Sequence, residues 1–290
     1  MRQHIASRMR GVVLVIVAAC VFDACGGGDP SPVAPTATAA SSPTGLFPSA
    51  GADLHYQLDL PSGSGPFPAV VFGHGSGQAT KTDGGVHTSF WLGQGFAVLR
   101  YDKRGVGQST GTYRGVSAAN SADQIMELAG DMAAGVAFLK SRSDIDGARV
   151  GLTGVSQAGW VMAAATTITS DIRFVVAPVG SVMPVGVNIA YENQRDAPID
   201  AAYAALAQYA GPQGWDPAPA VRASRAPVLY LLGADDRLVP TRVCVPLIEA
   251  LRLQGARVSA RVYAGVGHEL GSSSRFWTDV AEWLRVEGLK

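Results

Sequence analysis

Apolar residues in this chain cluster in short runs, separated by longer stretches with helical spacing. The runs are Phe67–Gly73, Phe96–Tyr101, Val150–Thr153, Phe174–Val179, Val228–Gly233 and Val258–Tyr263. A strand that is apolar at every position has both faces buried, which is the habit of parallel sheets. Between the runs, Ser121–Arg142 places Ile125, Leu128, Met132, Val136 and Leu139 along one helical stripe. Helices also fit His87–Gln94, Gln157–Ala165, Thr241–Leu253 and Ser274–Arg285. Strand and helix alternate, so the pattern predicts an α/β fold: a mostly parallel sheet covered by helices on both faces. Leu54, Tyr56, Leu58 and Leu60 alternate with polar residues, which predicts an edge strand over Leu54–Leu60. Ser181–Arg225 interrupts the rhythm and is longer than a plain crossover requires. It reads as a small cap insert, helical over Ala201–Tyr209, lying over the carboxyl ends of the strands where such folds place their sites.

The ends of the chain differ from this body. Arg2, Arg8 and Arg10 precede the apolar stretch Val12–Ala19, which is too short to span a bilayer. Residues 1–25 therefore read as an export signal. Val17-Ala18-Ala19-Cys20 resembles a bacterial lipobox, and Ala24-Cys25-Gly26-Gly27-Gly28 is a second candidate. Lipidation at Cys25 or Cys20, or simple cleavage of the signal, are the readings left open. A lipid anchor would be the only contact with a membrane. Residues 26–50 are rich in Pro, Gly and Ala and read as a linker, with the folded domain over 51–290.

Composition narrows the chemistry. The 290 residues carry 23 basic and 23 acidic side chains, and no basic block stands out, so a nucleic-acid partner is not expected. No H-E-x-x-H and no Cys/His ligand spacing occurs, so neither a metal nor another cofactor is expected. Cys244 sits in a predicted helix among Val243, Val245 and Leu247 and reads as a buried structural thiol.

The chemistry-bearing stretch is Val150-Gly151-Leu152-Thr153-Gly154-Val155-Ser156-Gln157-Ala158-Gly159-Trp160: strand, tight turn, helix. Gly154-x-Ser156-x-Ala158-Gly159 is a form of the G-x-S-x-G nucleophile elbow, with alanine where the pattern prefers glycine. Small residues are needed on either side because the serine occupies a strained turn. An activated serine needs a base downstream in this architecture. Of five histidines, His4, His55, His74 and His87 precede Ser156; only His268 follows it, in a glycine loop after the last strand. Two carboxylates, Asp235 and Asp236, follow the strand Val228–Gly233 and compete to orient that base.

Gly233-Ala234-Asp235-Asp236-Arg237-Leu238-Val239-Pro240 looks like the G-x-x-D-x-x-V-P segment of α/β-hydrolases. Together with the His74-Gly75 turn, the elbow and the terminal Gly267-His268 loop, it makes the whole domain resemble that superfamily. The resemblance implies the α/β-hydrolase fold and a triad of Ser156, His268 and Asp236, with Asp235 the rival acid. It implies an oxyanion hole formed by the backbone N–H groups of Ser76 and Gln157. Asp102-Lys103-Arg104-Gly105-Val106-Gly107-Gln108-Ser109 resembles the D-x-R-G-x-G-x-S loop of the same superfamily, for which a structural role of Arg104 is expected. His74 is expected to stabilise its turn. The expected activity is hydrolysis of carboxylic esters of small-molecule substrates through an acyl-enzyme. An exopeptidase of the same fold is the alternative, because Glu192, Asp196 and Asp200 lie in the cap; an inactive tethered binding protein is a further one. Trp160, Tyr191, Tyr203, Tyr209 and Trp215 are candidate pocket aromatics.

Overall fold

The computed structural model describes residues 42–270 and 274–290. The signal segment, both candidate lipidation cysteines and most of the linker lie outside the described residues. Strands β1 (Thr44–Ser49), β2 (Ala52–Asp59), β3 (Phe67–Gly73), β4 (Ala97–Tyr101), β5 (Ile145–Gly154), β6 (Val175–Pro178), β7 (Val228–Gly233) and β8 (Val258–Tyr263) form one sheet. Its order is β1-β2-β4-β3-β5-β6-β7-β8, antiparallel at β1 and β2 and parallel from β4 onward. This is the α/β-hydrolase fold.

Period-two alternation divides each central strand between two cores. Ala69 and Val71 of β3 and Val228, Tyr230 and Leu232 of β7 face one side. There they meet helices α2 (Ser121–Lys140), α3 (Ala158–Ile168) and α7 (Thr241–Leu253) through Ile125, Met132, Met162, Cys244 and Ile248. Val70, Phe72, Leu229 and Leu231 face the other, against α1 (Gly85–Gly93) and α8 (Ser274–Val286) through Trp91, Phe276, Val280 and Leu284. Both faces being covered is why these strands read as continuous apolar runs. Cys244 is fully buried, and burial pushes its thiol up to about 12, an inert packing residue.

Two features differ from the sequence reading. Thr44–Ser49, assigned to the linker, is strand β1, paired with β2 from Thr44↔Gln57 to Ser49↔Ala52. Only Phe47 of that strand is buried, stacked on Phe138 of α2, so it offers no alternating pattern to read. Its Pro48 is tolerated because, among the described residues, β1 has a neighbour on one side only. Leu54–Leu60 is accordingly not an edge; β2 lies between β1 and β4. The insert Ser181–Arg225 holds three helices, α4 (Val185–Glu192), α5 (Ile199–Ala207) and α6 (Ala218–Ala223). No helix among the described residues is long and apolar enough to cross a membrane.

Candidate active site

The site is assembled at the carboxyl ends of the parallel strands. β5 delivers Ser156 on a backbone with φ 55°, a left-handed conformation that is uncommon for a residue with a side chain. Neighbouring strands hold it there. Val155 N–H donates to Gly73 O at the end of β3, and Ser156 N–H donates to Pro178 O at the end of β6, each at 3.2 Å. The turn has no spare room. A Cβ on Gly154 would lie 2.5 Å from Gly73 O and 2.7 Å from the Ala158 methyl. Ala158 replaces the usual glycine because Gly73 and Gly154 leave its methyl a place. Gly154→Ala should therefore cost about 1–3 kcal/mol of stability through overpacking, read as a lower midpoint in urea.

The acid and the histidine come from adjacent loops. The β7 and β8 ends approach closely: a Cβ on Gly233 would sit 2.3 Å from Gly267 O, and Asp235 N–H donates to Val266 O at 3.0 Å. His268 Nδ1 donates to Asp236 Oδ2 at 2.8 Å. The other oxygen, Oδ1, accepts from Leu238 N–H at 2.7 Å and Val239 N–H at 2.9 Å. Asp236 is fully buried, while Asp235 is exposed. The cap braces this loop: Tyr191 Oη donates to Asp236 O and Asn188 Nδ2 to Leu238 O.

Ser156 and His268 line one cavity of about 290 Å³, together with Ser76, Gln157, Trp160 and Glu192. The N–H groups of Ser76 and Gln157 have no acceptor among the described residues. Of the aromatic candidates, Trp160 lines the cavity, its Nε1 donating to Met183 O. Tyr191, Tyr203, Tyr209 and Trp215 do not line it; Tyr191 is fully buried. Of the cap acids, Glu192 reaches the cavity, Asp196 is exposed, and Asp200 pairs with Arg242 outside it.

The turn after β3 and the loop after β4 are built together. His74 Nε2 donates to Tyr101 O at 2.8 Å, and burial lowers the ring to about 4, so it stays neutral and holds its turn. Arg104 makes two bonds to Asp131 of α2, at 2.8 and 2.6 Å, and a third to Glu127. That buried fork ties the loop to the helix layer. Lys103, which sequence reasoning passed over, turns the other way. It is 4% exposed, and its Nζ donates to Gly75 O, to Gly77 O at 3.0 Å and to Gln157 Oε1 at 3.1 Å. Nothing in the sequence marked it, because its acceptors come from two turns distant along the chain.

Comparison with known proteins places this architecture. No curated protein sequence matches significantly. Among solved structures, an esterase of Pyrococcus furiosus superposes with TM-score 0.65 at 18% identity, covering 85% of this chain and 91% of that one. An esterase of Pyrobaculum calidifontis gives 0.63 at 17%, covering 86% and 87%. The acylaminoacyl peptidase of Pyrococcus horikoshii gives 0.62 at 15%, covering 86% of this chain and 42% of that one. At such identities the likeness concerns the fold. The sequence profile of the prolyl oligopeptidase family matches residues 85–285, which span the elbow, both candidate acids and His268. On that match the chain belongs to the prolyl oligopeptidase family, a serine-hydrolase family of the α/β-hydrolase superfamily.

Proposed function

We propose that the chain hydrolyses carboxylic esters through an acyl-enzyme. Ser156 Oγ attacks the ester carbonyl and its proton passes to His268 Nε2. The carbonyl oxygen, now negative, accepts from the N–H groups of Ser76 and Gln157, each worth ~2.7–4 kcal/mol in the transition state of comparable systems. His268 returns the proton to the departing alkoxide. A water then attacks the acyl-enzyme with His268 again as base, releasing the acid and restoring the serine. Asp236 keeps the imidazole in the tautomer that leaves Nε2 free to accept. The observation that carries this reading is the 2.8 Å bond from His268 Nδ1 to a fully buried Asp236, on a histidine that shares its cavity with Ser156. The esterases among the structural neighbours support the ester over other acyl substrates. The export-type amino terminus supports an envelope location, anchored through Cys25 or Cys20, where small esters outside the cytoplasm are met.

A second reading, a peptidase, draws on the prolyl oligopeptidase family match, on the acylaminoacyl peptidase among the structural neighbours, and on one feature of the cavity. Glu192 lines the same cavity, half-buried, and no cationic side chain among the described residues pairs with it. A carboxylate so placed suits a substrate ammonium. Turnover of p-nitrophenyl acyl esters against aminoacyl p-nitroanilides separates the readings. Esters turned over well ahead of anilides, with a fluorophosphonate adduct mapped to Ser156, are the expected result. Anilides favoured over esters would give the peptidase; an adduct on another residue would sink both.

A further inference from the structure

Lys103 stands at the junction of the two segments that carry the oxyanion donors. Gly75 and Gly77, whose carbonyls it binds, flank Ser76, and Gln157, whose side-chain oxygen it binds, follows Ser156. Its own N–H donates to Ala79 O, and its ammonium lies 5.3 Å from the centre of the Tyr113 ring. All three acceptors are neutral. The neighbouring carboxylate, Asp102, is turned to the N–H groups of Lys81 and Gln108 and to the Lys81 ammonium. A buried ammonium without a carboxylate is costly to keep. Here the missing anion is the one that forms during the reaction. We propose that Lys103 is a positioning residue for the oxyanion hole: it clamps the Gly75–Gly77 turn to the start of α3 and sets a positive charge behind the two donors. The proposal rests on the serine-hydrolase reading above.

The charge makes the clamp sensitive to alkali. Burial lowers Lys103 to about 8. Below that pH the ammonium supplies three donors and a charge; above it, the neutral amine supplies two and none. Turnover should therefore fall as pH rises through about 8. The folded-state value lies below the ordinary 10.5, so burying this group weakens the fold below pH 8 and stops doing so as pH climbs toward 10.5. Activity and this contribution to stability thus move in opposite directions. Two ionisable groups beside it are displaced from that pH range. His74, on the same turn, is lowered to about 4, and the Tyr113 phenol is raised above its ordinary range by burial. Lys81, Asp102 and Arg104 are held in ion pairs, and His268 lies on the cavity wall with Asp236.

The test is the pH profile of kcat for a p-nitrophenyl ester in wild type, Lys103→Met and Lys103→Arg. Lys103→Met should lower kcat at neutral pH by roughly tenfold or more, with KM within about threefold, and should lose the alkaline limb. Lys103→Arg, charged at every pH used, should recover part of kcat and hold it above pH 8. A fall confined to KM, or an alkaline limb that persists in Lys103→Met, overturns the assignment. Should Lys103→Met not fold, the wild-type limb and Gln157→Leu, which removes one strand of the clamp, carry the test: no limb near 8, or unchanged kcat in Gln157→Leu, would end it. Ser156→Ala run alongside separates the two readings. Its inactivity beside an unaltered Lys103→Met profile removes the Lys103 assignment alone, whereas turnover surviving in Ser156→Ala removes both.

Discussion

Ser156→Ala should lower kcat for a p-nitrophenyl ester by about 10⁵–10⁶-fold while KM changes little. Loss of the attacking oxygen leaves only the oxyanion donors and binding to act on a water, a residue of about 10³–10⁴ over the uncatalysed rate in comparable serine systems. Ground-state binding does not use the serine oxygen, so KM has no reason to follow. Alanine meets the same left-handed backbone as serine at φ 55°, and the bonds that pin the turn come from the main chain. The variant should therefore melt close to wild type. Near-normal turnover in a purified Ser156→Ala protein, free of contaminating esterase, would end the acyl-enzyme reading.

Asp236→Asn should lower kcat by about 10⁴-fold, with little change in thermal midpoint. The reason lies in which oxygen does what. Oδ1 serves Leu238 N–H and Val239 N–H, and an asparagine oxygen can serve them equally. The amide nitrogen then faces His268 Nδ1, where the carboxylate had accepted at 2.8 Å. That donor forces the imidazole into the opposite tautomer, with its proton on Nε2, so it no longer takes one from Ser156. Asp236→Ala differs, since it leaves the buried Val239 N–H and the half-buried Leu238 N–H without their acceptor, at about 1–3 kcal/mol for the buried one, and should unfold earlier. Asp235→Asn is the control. Its side chain is exposed and its backbone N–H keeps its bond to Val266 O, so kcat should stay within about twofold. A loss in Asp235→Asn to match that in Asp236→Asn would reverse the order of the two acids.

How far the sequence could be read follows from where each signal comes from. Strands β3, β6 and β7 were the most legible, because burial on both faces leaves no polar position to blur a run. The chain order of Ser156, Asp236 and His268 was legible because each follows an expected strand and because one histidine alone follows the serine. Strand β1 was not, since a single buried residue, Phe47, among prolines carries no period. Helix α4 was missed for a related reason: its buried set, Val185, Gly186, Asn188 and Tyr191, mixes glycine and amide with apolar groups. Val179 adopts φ 46° just past β6, a conformation that a β-branched residue does nothing to advertise. Lys103 is the plainest case. A lysine becomes an interior residue only when acceptors arrive from elsewhere, here the turn after β3 and the elbow after β5, and no local pattern announces that meeting.

The pairing of β1 onto β2 has a further effect. Those six residues occupy the hydrogen-bonding row on the outer side of β2, from Gln57 back to Ala52. A chain trimmed to begin at Ala52 would keep every group around Ser156 yet bare that row, along with the apolar surface Phe47 now shields. Bare strands of that kind template intermolecular sheets. Such a trimmed protein should self-associate in a concentration-dependent way, so an overzealous protease would cost solubility before it cost chemistry.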